Sequence, residues 1–179
     1  MKLKKEYWVE AVFGIITPTW DLEGEMRLYP NPNLREELIK LTRKKVEERL
    51  KKFSGLIEQL VPAYSAVKVK GKRLYQLARQ GKIKTSHLPR RKVKIDQIEL
   101  VRFWPAQLKQ KKLTPQLLLR WGPKARIRMV VGKGTYVRSI IYQLGEDLGL
   151  GATTSRLIRT KIGNFSLQSK FLFDTNGDQ

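Results

Sequence analysis

The segment from Ile127 through Arg138 constrains this chain more than any other. Ile127 to Val131 is an apolar run with the length and composition of a buried strand. Gly132 and Gly134 interrupt it, and Thr135 is a good N-cap for a helix starting just after it. From Tyr136 the pattern becomes helical, with Val137, Ile140, Ile141, Leu144 and Leu148 three or four residues apart. Arg138 then falls in the first turn of a helix, where the macrodipole disfavours a cation. A guanidinium held there calls for a carboxylate or a phosphate. The nearest acidic residues in sequence, Glu146 and Asp147, sit at the far end of the same helix. The anion has to come from elsewhere in the fold or from a ligand; a solvated surface arginine is the alternative, and the sequence leaves both open.

Charge narrows the partners. Among 179 residues the excess of Lys and Arg over Asp and Glu is +21, while 41% of residues are hydrophobic. A folded basic domain of this kind points to a polyanion, with nucleic acid first. A membrane surface is second, but no apolar run approaches spanning length and Met1-Lys2-Leu3-Lys4-Lys5 opens no signal peptide. With no cysteine and one histidine, thiol chemistry and cysteine-type zinc sites are excluded. His87, in a polar stretch, reads as a surface residue. A cytoplasmic protein without metal or cofactor is the expectation.

Taken in order, Tyr7 to Ile16 alternates as a strand, with Tyr7, Val9, Ala11, Phe13 and Ile15 on one side. Thr17 to Glu25 is a turn region, and Asp21 reads there as a turn former. Leu34 to Phe53 is helical, as one long helix or as two with Thr42 capping the second; its basic face reads as solvated. Tyr64 to Val69 is short and β-prone, and Arg73 to Gln80 is a short helix ended by Gly81. Tyr64 and Tyr75, interleaved with Lys68, Lys70, Lys72, Arg73 and Arg79, suit a surface that tracks a nucleic-acid backbone and stacks on its bases. A helix packed by Leu74, Tyr75 and Leu77 with its basic side in water fits equally well. Val93 to Phe103 is a strand. Gln116–Trp121 and Arg126–Val131 read as consecutive strands around a Gly122-Pro123-Lys124 hairpin. Thr153 is expected to cap a short helix through Leu157 and Arg159, and Lys161 to Leu167 to form a last strand. No repeat or linker divides the chain, so residues 1–172 form one α+β domain and residues 173–179 a frayed tail.

With these segments placed, the chain resembles the TruB family, the bacterial tRNA pseudouridine-55 synthases. Lys5-Glu6-Tyr7 resembles the family's Lys-x-Tyr strand, and Thr17 to Gly24 its Thr-x-Thr-x-Asp-x-x-Gly turn, with Pro18 in place of the usual Asp. Phe53 to Gln59, Pro62 to Lys68, Gly71 to Tyr75 and Ala78 to Gly81 continue the match, as do Lys133-Gly134-Thr135-Tyr136-Val137-Arg138, Leu144-Gly145-Glu146, Leu157 and Arg159-Thr160. The Gly-Thr-Leu-Asp-Pro-x-Ala-Thr-Gly segment that carries the family's nucleophilic aspartate has no counterpart among these residues. The PUA domain of many members is also absent from them.

The resemblance implies a pseudouridine synthase fold, a mixed and mostly antiparallel sheet flanked by helices, truncated at its N-terminus. It implies isomerisation of uridine in the T-arm stem-loop of tRNA after the base flips into a pocket, with no cofactor or metal. Arg138 corresponds to the arginine that pairs with the nucleophile, Tyr7 to the tyrosine that stacks on the flipped base and is proposed to take part in proton transfer, Tyr136 to a pocket tyrosine and Leu157 to a pocket wall. Lys68, Lys70, Lys72, Arg73, Tyr75, Arg79 and Lys133 would contact RNA. Asp21 falls on the family's non-catalytic turn position. On this reading the chain is a fragment or one part of a split enzyme, completed by a second chain. A non-catalytic RNA-binding or RNA-folding module is the alternative, and a basic ribosome-associated structural protein a third. Against the module stands the cost of a pocket arginine whose partner is gone. A chain opening at the Tyr7 strand is also expected to expose a sheet edge there.

Overall fold

Alternation along Lys5–Phe13 builds the strand on which all else is hung. The computed structural model describes residues 3–69 and 71–167. Chain order runs β1 (Lys5–Phe13), β2 (Ile15–Ile16), β3 (Arg27–Leu28), α1 (Leu34–Ile39), α2 (Arg43–Leu50), β4 (Gly55–Leu60), β5 (Lys68–Val69), β6 (Lys72–Arg73), α3 (Leu74–Arg79), β7 (Arg90–Trp104), α4 (Pro115–Trp121), β8 (Lys124–Val131), α5 (Val137–Leu148), β9 (Ala152–Ile162) and β10 (Phe165–Ser166). Six strands form one sheet in the order β10-β9-β1-β8-β7-β4, antiparallel at every neighbouring pair. A parallel bridge joins Asp21 to Thr154 of β9. The fold is α+β.

One face of this sheet is apolar. Val9, Ala11 and Phe13 of β1 lie among Ala125, Ile127, Met129 and Val131 of β8, and the helices of the main core cover them through Leu34, Leu38, Val46, Leu50, Leu118, Ile140, Ile141 and Leu144. Each fully buried aliphatic side chain contributes roughly 1.5–3 kcal/mol relative to exposure. The opposite face is polar and paired across strands: Glu10 with Arg126 at 2.8 Å, Glu6 with Arg128 at 2.5 Å, and Arg128 with Glu99 at 3.3 Å. Burial raises the Glu6 pKa, but hydrogen bonds from Thr160 and Arg128 and the charges of Arg128 and Lys161 outweigh it and hold the group below its ordinary value.

Glycine is needed at Gly14 and Gly145, among other positions. Gly14 breaks β1 from β2 at φ +90°, and a Cβ there would meet Leu118 and Leu38. Gly145 lets α5 lie against the start of β9, where a Cβ would run into the backbone of Gly151 and Ala152.

Several expectations are corrected. Residues 115–121 form a helix and not the first strand of a hairpin: the Thr114 hydroxyl accepts from the Leu117 amide at 3.1 Å, and Pro115 opens the first turn. The capping pair outweighs the apolar run. Residues 152–162 form a strand and not a helix capped by Thr153, because β1 supplies backbone partners along its length and β-branched side chains fit the sheet. Among the described residues the last strand is therefore Phe165–Ser166, after a turn at Gly163. Of Tyr64 to Val69, only Lys68–Val69 is strand. Leu34 to Phe53 resolves into two helices, the second capped by Thr42 through the Lys45 amide at 3.4 Å. Helix α5 starts at Val137, and the Thr135 hydroxyl donates to the Gly132 carbonyl in place of capping. Nor is β1 an edge: β8 and β9 flank it. Lys70 and the 173–179 tail lie outside the described residues. No helix among the described residues is long and apolar enough to cross a membrane.

Candidate active site

The antiparallel register delivers Tyr7 and Arg138 to the same end of the sheet. β8 runs to Val131 beside Lys5, and the chain then turns through Gly134, at φ +83°, into α5. Arg138 stands in the first helical turn, as its sequence position requires, and its guanidinium is not solvated at large. Arg138 Nη1 donates to Asp21 Oδ2 at 2.5 Å and to the Thr19 carbonyl at 3.0 Å, and Nη2 reaches the Tyr64 carbonyl at 3.4 Å. The two side chains are 24% and 19% exposed. Of the alternatives the sequence leaves open, an anion from elsewhere in the fold is the one found, and the pocket arginine is not without a partner: the fold brings Asp21 to it. A carboxylate beside the first turn also offsets the cost of the cation there.

Asp21 is a turn former as well. Its Oδ1 accepts from the Thr19 hydroxyl at 2.6 Å and the Glu23 amide at 3.1 Å, while the Thr17 hydroxyl donates to its carbonyl at 2.7 Å. Both carboxylate oxygens are therefore engaged. Trp20 just before it sits at φ +61°, unusual for a bulky residue, and its ring stacks on Tyr142 of α5 with centroids 4.4 Å apart. The Thr154 amide donates to the Trp20 carbonyl at 3.1 Å. The turn is clamped between α5 and β9.

Tyr7, Tyr136, Arg138 and Leu157 line one cavity of about 210 Å³ together with Thr135 and Val137. Arg138 and Leu157 also line an adjoining space of about 410 Å³, which Asp21, Thr154 and Arg156 complete. Leu157 is 42% exposed, on the rim between the two. Tyr136 is fixed from β4 by a residue that sequence reasoning misses. Buried Gln59 accepts from the Tyr136 amide at 2.8 Å and donates to its carbonyl at 3.2 Å. No local pattern marks a glutamine for that task, since its partner lies 77 residues away.

The basic excursion between β4 and β7 packs beside this cavity. Buried Leu74 joins Trp20, Val61 and Leu88 in a second small core, against which Tyr136 and Tyr142 rest. Lys68, Lys72, Arg73 and Arg79 are exposed, and the packed helix and the basic surface coexist. Arg73 and Arg79 place their guanidiniums 6.0 Å and 5.7 Å from the Tyr75 ring centroid. Lys133, also exposed, lies in a groove with Lys4, Arg91, Lys92 and Lys94.

These features coincide with a known family. The model of the TruB family pseudouridylate synthase (N terminal domain) matches residues 1–137. The tRNA pseudouridine synthase B of Carboxydothermus hydrogenoformans is 43% identical over 168 residues, covering 94% of this chain and 51% of that protein. The tRNA pseudouridine synthase B of Acaryochloris marina is 38% identical over 176 residues, covering 98% and 53%. The chain thus spans about half the length of the curated relatives it matches. Among solved structures, a chain of the "Crystal Structure of a Cbf5-Nop10-Gar1 Complex" superposes with a TM-score of 0.52 at 24% identity, covering 92% of this chain and 32% of that one, a likeness of fold.

Proposed function

Because this chain belongs to the TruB family of pseudouridylate synthases, we propose that its cavity receives a uridine extruded from the T arm of tRNA and serves its isomerisation to pseudouridine. The supporting observation is the meeting of Tyr7, Tyr136, Arg138 and Leu157 in one concave space beside a basic, tyrosine-bearing surface. A flipped base needs a flat apolar slot and a fixed charge near its sugar. The two tyrosines and Leu157 provide the slot and Arg138 the charge.

In the reaction the N1–C1′ bond breaks, a C5–C1′ bond forms, the C5 proton leaves and N1 takes one up. An aspartate nucleophile has to act on the base or its sugar. Asp21 falls on the family's non-catalytic turn position, and its Oδ1 is taken by the Thr19 hydroxyl and the Glu23 amide within that turn. Asp21 acts as a positioning residue: it holds Nη1 and leaves Nε of Arg138 for an incoming carboxylate. The nucleophile comes from a segment carrying the family's aspartate motif, outside these 179 residues, and Arg138 orients it.

The test is tritium release from 5-tritiated uridine in a T-arm stem-loop, with and without a polypeptide carrying that motif. Release on complementation, lost in Arg138→Ala, is the expected result; no release from either mixture overturns it. A second reading, an RNA-binding module without chemistry, gains from the Asp21 pair, which satisfies Arg138 internally and removes the cost of an orphaned charge. Tight stem-loop binding without release under complementation is its signature.

A further inference from the structure

At the end of the sheet remote from the cavity, Trp104 closes β7 and Trp121 closes α4 around a cleft of about 230 Å³, with Glu10, Arg120, Lys124 and Arg126 in its wall. It lies at the Lys124 end of β8, whereas the cavity lies beyond the Val131 end. Arg102 and Arg126 place their guanidiniums 4.8 Å and 5.1 Å from the Trp104 ring centroid, and Arg120 lies 5.1 Å from that of Trp121. Trp121 is 39% exposed. Glu10 is committed to Arg126, with hydrogen bonds of 2.8 Å and 3.0 Å. Arg120 and Lys124 have no carboxylate partner among the described residues.

The cleft is held from outside. The Gln107 amide donates to the Trp121 carbonyl at 2.8 Å, and Arg35 of α1 donates to the carbonyls of Leu108 and Gln110, both at 3.0 Å. Its shape therefore does not depend on a ligand. The main core needs neither exposed indole nor unpaired cation, so packing does not account for them.

We propose that this cleft binds single-stranded RNA, one base stacking on Trp121 while Arg120 and Lys124 hold the adjoining phosphate. Indole faces and cations side by side are the two elements by which proteins hold unpaired nucleotides. The volume is below the roughly 300–1,000 Å³ of a drug-sized ligand site and suits one planar ring. An acidic peptide would answer the charges but leave the indoles without flat partners. The site is independent of the uridine pocket and has no part in the isomerisation.

The test is fluorescence anisotropy with a labelled oligoadenylate, which contains no uridine, titrated with the full chain. Trp121→Ala weakens binding about 5- to 150-fold, the range set by stacking one base on an aromatic ring, and Trp121→Phe recovers most of it. Arg120→Glu, on α4, also weakens binding and flattens its salt dependence. If Trp121→Ala and Arg120→Glu keep the native circular dichroism and bind oligoadenylate as the parent does, the proposal is overturned. It is equally overturned if an oligoglutamate of the same length binds more tightly than the RNA, which would give the cleft to a protein. Arg138→Ala, which tests the uridine reading, leaves oligoadenylate binding unchanged.

Discussion

Arg138 and Asp21, 117 residues apart in sequence, meet at 2.5 Å across the gap between α5 and the turn after β2. The pair joins a charge the helix start disfavours to a carboxylate whose other oxygen is locked into its own turn. Asp21→Asn keeps the shape and removes the charge. It is expected to lower stability by about 1–2 kcal/mol, a partly exposed charged hydrogen bond being worth somewhat less than a buried one. Urea denaturation of Asp21→Asn, Arg138→Gln and the double variant checks this: the second substitution costs less once the first is made. Strict additivity counts against a coupled pair.

Gln59 and Tyr136 form a second relation of this kind. Gln59→Leu keeps the volume and leaves the Tyr136 amide without its partner, while the Tyr136 carbonyl keeps the Ser139 and Ile140 amides. The expected loss is about 1–3 kcal/mol, as for one buried polar group left without its hydrogen bond. Amide exchange at Tyr136 should accelerate while exchange in β8 keeps pace only with the global change. Unaltered exchange at Tyr136 shows that the glutamine does not hold it.

The sheet's polar face predicts an acid limb. Glu6 is held below the ordinary carboxylate value of 4.5, so between the two values the unfolded chain binds more protons than the folded one. Its contribution is present above the ordinary value and is lost as the pH falls through the depressed one. Thermal melts from about pH 7 to about pH 3 should show this decline, and Glu6→Gln should flatten part of it. An unchanged slope in the variant assigns the acid limb to other carboxylates.

The basic excursion separates affinity from folding. Arg79→Gln, at the surface, should weaken T-arm binding and reduce the salt slope by about 0.7–0.9, one phosphate contact. Leu74→Ala, in the small core, should cost about 2–5 kcal/mol of stability. A salt slope untouched by Arg79→Gln places the RNA elsewhere.

Local order carries much of this architecture. The alternation of β1, the glycine turn before α5 and the place of Arg138 in its first helical turn are read directly from spacing, as is Gly81 after α3. Tyr7, Tyr136, Arg138 and Leu157 stand out by motif, and the fold brings them together. Two segments mislead for opposite reasons. In 115–121 a strong cap and an N-terminal proline outrank an apolar run, and in 152–162 pairing to β1 outranks a plausible helix cap. The partner of Arg138 and the support of Tyr136 are invisible in sequence because both are long-range: a turn aspartate and a strand glutamine look ordinary until the sheet closes.

The central position of β1 sets the order in which this sheet assembles. Among the described strands, β1 has no neighbour in the six-stranded sheet until Lys124 onward has been synthesised, and no second neighbour until Ala152; Glu6 waits 122 residues for Arg128. Such sequence-distant pairing makes for slow folding, and the nascent chain carries an unpartnered alternating strand throughout. Ribosome-stalled chains ending near Gly122 would hold β1 in a chaperone-binding, protease-sensitive form, and release past Ile162 would close the sheet from both sides at once.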